Sequence, residues 1–324
     1  MKKEKINVAL VGLGGHGATI RKSVKMCAKL NIVACHDINK ELVDEVKAEF
    51  NCDGFLNYDE LLENPILDAV IISTPNFLHF EQTCKALQSG KDVFVEKPIT
   101  AKVEEAEKIV KLAQEKNLIV QVGHNTRKRK VFRKAKEIIE RGLLGKIIFV
   151  ESNISMSTGL AEFPQWKKDK DKCPLLPMTQ LGIHFVDTLI YLFGDIEEVS
   201  SFARNAYLDV EDSAVALFRF SNDIIGTLSS SYVAQNAYEM KIYGTEGVLK
   251  CYLNKIELQK TTEINPSVYF FDEDIESYIE ELCEFAECII NRRKPEVDAE
   301  IGLKNLKVIE AMIESNITKK VVKI

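Results

Sequence analysis

Three stretches of the chain bring together residue types that can do chemistry. In KDVFVEKPIT, residues 91–100, an acid, a lysine and a proline follow a short apolar run. Asp92-Val93-Phe94-Val95 reads as a buried strand, and Pro98, with no N–H to give to a ladder, marks its end. A charged pair at a strand's exit is a candidate site in a parallel sheet, where ligands gather beyond the carboxyl ends of the strands. By itself the pattern also fits a solvated loop lysine. In the second stretch, INVALV runs into GLGGHG, with Gly12, Gly14 and Gly17 at GxGxxG spacing, and Asp37 lies twenty residues beyond Gly17. In the third, TQLGIHFVDTLIYLFG, a helix puts Gln180, His184, Asp187 and Tyr191 on one stripe. Either that stripe faces a cleft, or His184 is a core histidine bonded to Asp187.

The glycine stretch is made specific by its surroundings of strand, helix, strand and acid. Gly12 permits a tight turn, Gly14 lets backbone N–H groups approach a pyrophosphate, and Gly17 allows close packing of helix on strand. The helix N-terminus, where His16 sits, favours an anion. Asp37 can accept hydrogen bonds from adenosine ribose hydroxyls, and it repels a 2′-phosphate. Ile38 and Asn39 follow with no arginine, although Lys40 is near. NAD is therefore expected in preference to NADP.

The elements that position these residues alternate. Helical patterns cover 41–50, 80–89 and 103–116, and strand patterns cover 67–72, 93–95 and 118–122. Repeated βα units predict a doubly wound parallel sheet. Its strand ends collect the glycine loop, Asp37, Ser73-Thr74-Pro75-Asn76, Glu96-Lys97-Pro98 and His124 along one edge. Beyond a helix at 129–141 the character changes. Strand-like runs at 146–155, 196–205, 212–220, 224–233, 238–243 and 247–253, joined by short turns, predict an antiparallel sheet. Helices at 276–292 and 298–315 follow.

The 324 residues suggest two domains, placed at 1–124 and 125–324. A formal net charge of −6 argues against nucleic acid as a partner, and no apolar run reaches the ~18–20 residues of a membrane span. The N-terminus lacks the pattern of a signal peptide, so a cytoplasmic location is expected. The eight cysteines show no CxxC pair and read as reduced thiols, and the five histidines show no metal-ligand spacing. No metal is expected. The basic run beginning at Arg127 reads mostly as a solvated helix face. Arg127 itself, and Lys167, Lys168, Lys170 and Lys172 in the 157–177 loop, could meet an anionic substrate.

GLGGHG, STPNFLH (73–79), EKP (96–98), VGHNTR (122–127), GLLGKI (142–147), LGIHFVD (181–187) and YGTEG (243–247) occur in order along nearly the whole chain. In these pieces the chain resembles the glucose–fructose oxidoreductase and inositol dehydrogenase family, Gfo/Idh/MocA. The resemblance implies an N-terminal Rossmann domain and a C-terminal α+β domain built on a large open antiparallel sheet. The outer face of that sheet commonly forms subunit contacts, so a homodimer or homotetramer is expected. It also implies a cis Lys97–Pro98 bond. Cofactor contacts are expected from Gly12, Leu13, Gly14, Gly15, His16, Asp37, Ser73, Thr74, Pro75, Asn76, His79, Glu96 and Lys97.

Oxidising a secondary alcohol removes a proton and a hydride from one centre. A histidine suits the proton, and a nearby cation suits the developing alkoxide. With the resemblance, His184 is the expected general acid/base and Lys97 the residue that binds the reacting hydroxyl. Asp187 would orient His184 or bind substrate, and Arg127 and Gln180 would contact substrate. Many family members carry an aspartate where this chain has Gln180, which suggests hydrogen bonding to a sugar hydroxyl. The expected substrate is a sugar, cyclitol or derivative, including anionic ones. Alternatives are an NAD-assisted glycosidase or dehydratase, and a cofactor sensor without turnover.

Overall fold

The structure is a computed structural model that describes residues 4–161, 163–272 and 275–324. Two compact units divide the chain, one of residues 1–124 with 275–304 and one of residues 125–274 with 305–324. Residues 275–304 therefore lie with the first unit, whereas the sequence reading placed everything after 124 in the second.

The first unit holds six strands: β1 Ile6–Val11, β2 Leu30–His36, β3 Asp53–Phe55, β4 Ala69–Ile72, β5 Asp92–Glu96 and β6 Val120–Gly123. Every pairing is parallel, and the order is β3-β2-β1-β4-β5-β6. This is the strand order of a dinucleotide-binding Rossmann sheet. β4 and β5 are buried along their whole length, as a parallel sheet covered on both faces requires. The crossovers carry α1 His16–Lys25, α2 Lys40–Phe50, α3 Tyr58–Leu62, α4 His79–Gln88 and α5 Val103–Lys116. Asn39 caps α2 by accepting from Glu41 N, and Asn51 ends it in the left-handed region at φ 50°. β3 and α3 are short elements that the sequence patterns did not announce.

The helix α8 Glu276–Asn291 explains why residues 275–304 join this unit. Its Leu282, Phe285, Ala286, Cys288 and Ile289 share one apolar core with Ile6, Val8, Ile20, Val24 and Phe94. Phe285 meets Phe94 edge-on at 5.8 Å, and burying such rings stabilises by roughly 1.5–3 kcal/mol each. Past the helix, Arg292 binds Asp92 at 2.9 Å, and Val122 N donates to Val297 O at 2.9 Å.

The second unit is built on a nine-stranded sheet. Its strands are β7 Ile147–Ser155, β8 Ile196–Arg204, β9 Ser213–Phe220, β10 Ile225–Ser231, β11 Ala237–Gly244, β12 Gly247–Tyr252, β13 Lys255–Lys260, β14 Ser267–Phe270 and β15 Val322–Lys323. The order is β14-β13-β12-β11-β7-β10-β9-β8-β15. The sheet is mixed rather than wholly antiparallel, because β10 pairs parallel to β7. The reason is the connection. After β7 the chain crosses over through α7 Ile183–Phe193, and the β8-β9-β10 meander then returns in the direction of β7. Helices α6 Lys130–Glu140, α7 and the later part of α9 Ala299–Thr318 cover one face, with Phe132, Phe185 and Met312 packed on Val150, Leu228 and Ile242. All eight cysteines are free thiols. No helix among the described residues is long and apolar enough to cross a membrane.

Between β8 and β9 the chain curls around the Asp212 carboxylate, which accepts from the N–H groups of Ala206, Tyr207 and Leu208 and from the Ser213 hydroxyl. Burial works against this charge, but the donors outweigh it and hold the carboxyl below its usual range. A depressed folded-state value contributes stability above the unfolded value and loses it as pH falls through the folded one. Asp212→Ala should cost about 1–3 kcal/mol near neutral pH. In urea unfolding, the gap to the parent protein should close as pH drops below about 4; a pH-independent gap would count against this account.

Candidate active site

In the first unit, β1 ends at Val11 and the glycine loop bends back on itself. A Cβ on Gly17 would lie 2.1 Å from Gly12 O, and one on Gly12 would lie 2.8 Å from Thr74 N. Only glycine lets α1 start so close to the ends of β1 and β4. Gly14 and Gly15 are different, because a Cβ on Gly15 would meet nothing within 4 Å and one on Gly14 only Leu42 at 3.4 Å. Their backbone borders open space at a helix N-terminus, which is what a pyrophosphate needs. The Asp37 carboxylate holds the loop, with Oδ2 accepting from Leu13 N at 2.8 Å and Oδ1 from Asn39 N at 2.9 Å. These residues fit a dinucleotide.

Ser73 donates to Gly12 O at 2.9 Å, and Thr74 to Gln82 Oε1 at 2.6 Å. His79 lies with Nδ1 2.8 Å from Pro98 O and Nε2 2.9 Å from Thr74 O. A neutral ring can donate to only one of these carbonyls. Burial pushes the His79 pKa down, against the pull of the Pro98 and Thr74 carbonyls. His79 thus ties the end of β4 to the segment after β5, where the Lys97–Pro98 bond is cis. Pro75 and Asn76 lie at the start of that same connection.

At the end of β5, Glu96 is buried. Its Oε1 is 3.2 Å from His16 Nε2, and its Oε2 accepts from Lys97 N at 3.2 Å. Burial opposes the Glu96 charge, but His16, Lys97 and His79 outweigh it and keep the carboxyl below its usual range. Gly123 on the next strand makes room, since a Cβ there would lie 2.8 Å from Glu96 Oε1. The structure therefore brings His16, Glu96, Lys97 and His79 together on the edge that carries the glycine loop. The strands of Lys97 and of the loop are two apart, or about 10 Å.

In the second unit, α7 does not begin at Gln180. Met178–Gly182 form one wide π turn, and the α-helix runs from Ile183. His184, Asp187 and Tyr191 still share a face, and that face meets the short turn Asn125–Lys128. Arg127 Nε donates to Asp187 Oδ2 at 2.7 Å and Arg127 Nη2 to Asp187 Oδ1 at 2.6 Å, while Asn305 Nδ2 donates to the same Oδ1 at 2.7 Å. Tyr191 lies under Arg127 and accepts from Arg133 at 2.9 Å. His184 Nδ1 is 3.2 Å from Thr126 Oγ1. Gln180 is buried on the wide turn.

Several expectations change here. Arg127, expected to meet an anionic substrate, and Asp187, expected to orient His184 or bind substrate, pair with each other, because three residues along the helix bring Asp187 opposite the turn. Arg127 and Lys128 are buried, not part of a solvated face. The loop lysines are also engaged. Lys167 lies over Trp166 and Tyr232, Lys168 over Phe163, and Lys170 pairs with Glu211. Sequence reasoning missed Thr126, which sat inside the VGHNTR motif, and Asn305, which carried no local signal.

A dinucleotide-binding parallel unit joined to a unit on a large mixed sheet defines a class of nicotinamide-dependent oxidoreductases. The model of the oxidoreductase family with an NAD-binding Rossmann fold matches residues 6–124, and that of its C-terminal alpha/beta domain matches residues 136–324. The chain belongs to this Gfo/Idh/MocA family. It is 30% identical over 254 residues to a 2,7-anhydro-N-acetylneuraminate hydratase of Mediterraneibacter gnavus, covering 76% of this chain and 67% of the relative. It is 28% identical over 331 residues to the NAD-dependent scyllo-inositol 2-dehydrogenase of Bacillus subtilis, covering 93% and 92%. A solved structure described as an NADPH-dependent oxidoreductase of Desulfitobacterium hafniense superposes with a TM-score of 0.93 at 26% identity, covering 98% of each chain.

The buried Arg127–Asp187 pair makes a quantitative prediction. Removing one partner leaves a buried charge uncompensated, at a cost of about 3–5 kcal/mol. Arg127→Met and Asp187→Leu should each destabilise by that order in denaturant titration. The double variant should lose much less than the sum, and additive losses would show that the two side chains do not act as a pair.

Proposed function

We propose that this chain is a dehydrogenase that transfers hydride between NAD and a secondary hydroxyl of a neutral sugar or cyclitol. The observation that carries the reading is the glycine loop closed on Asp37 at the sheet edge that also holds Lys97. The bound nicotinamide supplies the hydride acceptor. His184 takes the hydroxyl proton as general base, and Lys97 donates to the oxygen as negative charge develops there. Gln180 hydrogen-bonds a substrate hydroxyl. The cofactor is held by the loop Gly12–Gly17, by Asp37 and by the β4 and β5 ends, from Ser73 to Asn76 and at Glu96. Asp37 favours NAD, since a 2′-phosphate would meet its carboxylate, although the relatives include proteins named for either cofactor. A neutral substrate is favoured because Arg127 spends its charge on Asp187.

A second reading has its own support, the 30% identity to a hydratase. An enzyme that oxidises its substrate only transiently would release product without accumulating reduced cofactor. Incubation with a panel of sugars and cyclitols, plus NAD or NADP, separates the two. We expect reduced nicotinamide to accumulate, faster with NAD. Lys97→Ala should lose on the order of 10²-fold or more in kcat, a far larger effect than on cofactor affinity. Unchanged turnover in that variant would sink the mechanism, and product without reduced cofactor would favour the second reading.

Self-association belongs to the same proposal. The face of the nine-stranded sheet opposite its helices carries Val215, Leu217 and Ile225, each about half exposed on neighbouring strands. Such a patch suits an interface, and a second copy of the chain is its proposed occupant. Sedimentation should show a dimer or tetramer that Leu217→Arg dissociates; a monomeric parent protein would exclude it.

A further inference from the structure

We propose that Thr126 is the positioning residue for His184, holding its Nδ1 so that Nε2 takes the substrate proton. This rests on the reading of His184 as general base. The Thr126 hydroxyl lies 3.2 Å from His184 Nδ1 and is buried. The turn that carries it is anchored by its next residue, since Arg127 grips Asp187 with two bonds one helical step beyond His184. Two consecutive turn residues thus hold two residues of one helix face. Thr188 donates to His184 O at 2.8 Å, which fixes the helix on the other side of the ring's attachment.

The carboxylate best placed by sequence to orient His184 is Asp187, but its oxygens are engaged by Arg127 and Asn305. The Thr126 hydroxyl, in contrast, lies directly on the ring nitrogen. A hydroxyl oxygen accepts from Nδ1–H whether the ring is neutral or protonated. The ring therefore keeps one orientation while Nε2 gains and loses its proton. A β-branched threonine is stiff at χ1, so the oxygen sits in a defined place.

The test uses histidine ring 15N spectra of the unliganded full-length protein, with the His184 signals assigned by His184→Gln. We expect the parent protein to show His184 as the Nδ1–H tautomer and Thr126→Ser to retain it. Thr126→Val, which keeps the shape and loses the oxygen, should shift the ring toward the Nε2–H form. With the best substrate of the panel, Thr126→Val should lose on the order of 10- to 10²-fold in kcat, the scale of a misplaced catalytic group, and Thr126→Ser should recover most of it. An unchanged tautomer in Thr126→Val overturns the proposal, as does a changed tautomer with unchanged kcat. Turnover that survives in His184→Gln would instead overturn the reading of His184 as base, while the spectra still report on the Thr126 contact.

Discussion

Taking an ionised carboxylate out of water costs several kcal/mol unless cations or hydrogen-bond donors replace the solvent, and this fold places three such groups where they organise their surroundings. Glu96 at the end of β5 is compensated by His16 and by the backbone of Lys97. That requirement pulls the start of α1 toward the strand end and leaves Gly123 no room for a side chain. Asp187 is compensated by a bidentate guanidinium and an amide, which bind the 125–128 turn to α7. Asp212 is compensated by backbone N–H groups, so the chain after β8 must curl around it. The compensator differs each time, and the local structure differs with it.

The architecture was legible in the sequence wherever periodicity and turn residues agreed. The helix expected over 103–116 is α5, and the strand read at 93–95 lies within β5. In those elements one hydrophobic pattern and one breaker point to the same answer. The glycine loop was legible because each glycine answers a separate steric demand, and the Cβ positions built on Gly12 and Gly17 bear this out. What stayed hidden depends on partners distant in sequence. The parallel β7–β10 pairing follows from where the chain re-enters the sheet, which alternation within a strand does not record. β13 reads as KIELQK, too polar to stand out alone, yet its Ile256 and Leu258 are buried. The helix at 276–291 was legible, but its attachment to the first unit was not. An apolar stripe says that a face is buried, not against which core.

The same limit governs the candidate site. The stripe of Gln180, His184, Asp187 and Tyr191 was readable from helical spacing, but its members do different work. Asp187 and Tyr191 are spent on Arg127 and Arg133, and so serve the packing of α6 and the 125–128 turn on α7. Polar residue types nominate a face of a helix. Only the donors opposite that face decide which member is reserved for chemistry.

That division bears on selectivity. A guanidinium closed on a carboxylate presents its surroundings with a dipole rather than a net charge, and its attraction for a distant anion falls accordingly. The lysines of the 157–177 loop are similarly turned to aromatic rings and acids, and burial depresses the pKa of Lys167. Under the proposed reading, a site bordered by paired cations would select by hydrogen-bond geometry. Sites built that way discriminate strongly against analogues lacking a hydroxyl, because the missing group leaves a buried partner unsatisfied. Gln180, buried and uncharged on its wide turn, suits that kind of recognition better than a carboxylate would. An amide can both donate and accept, and it carries no charge.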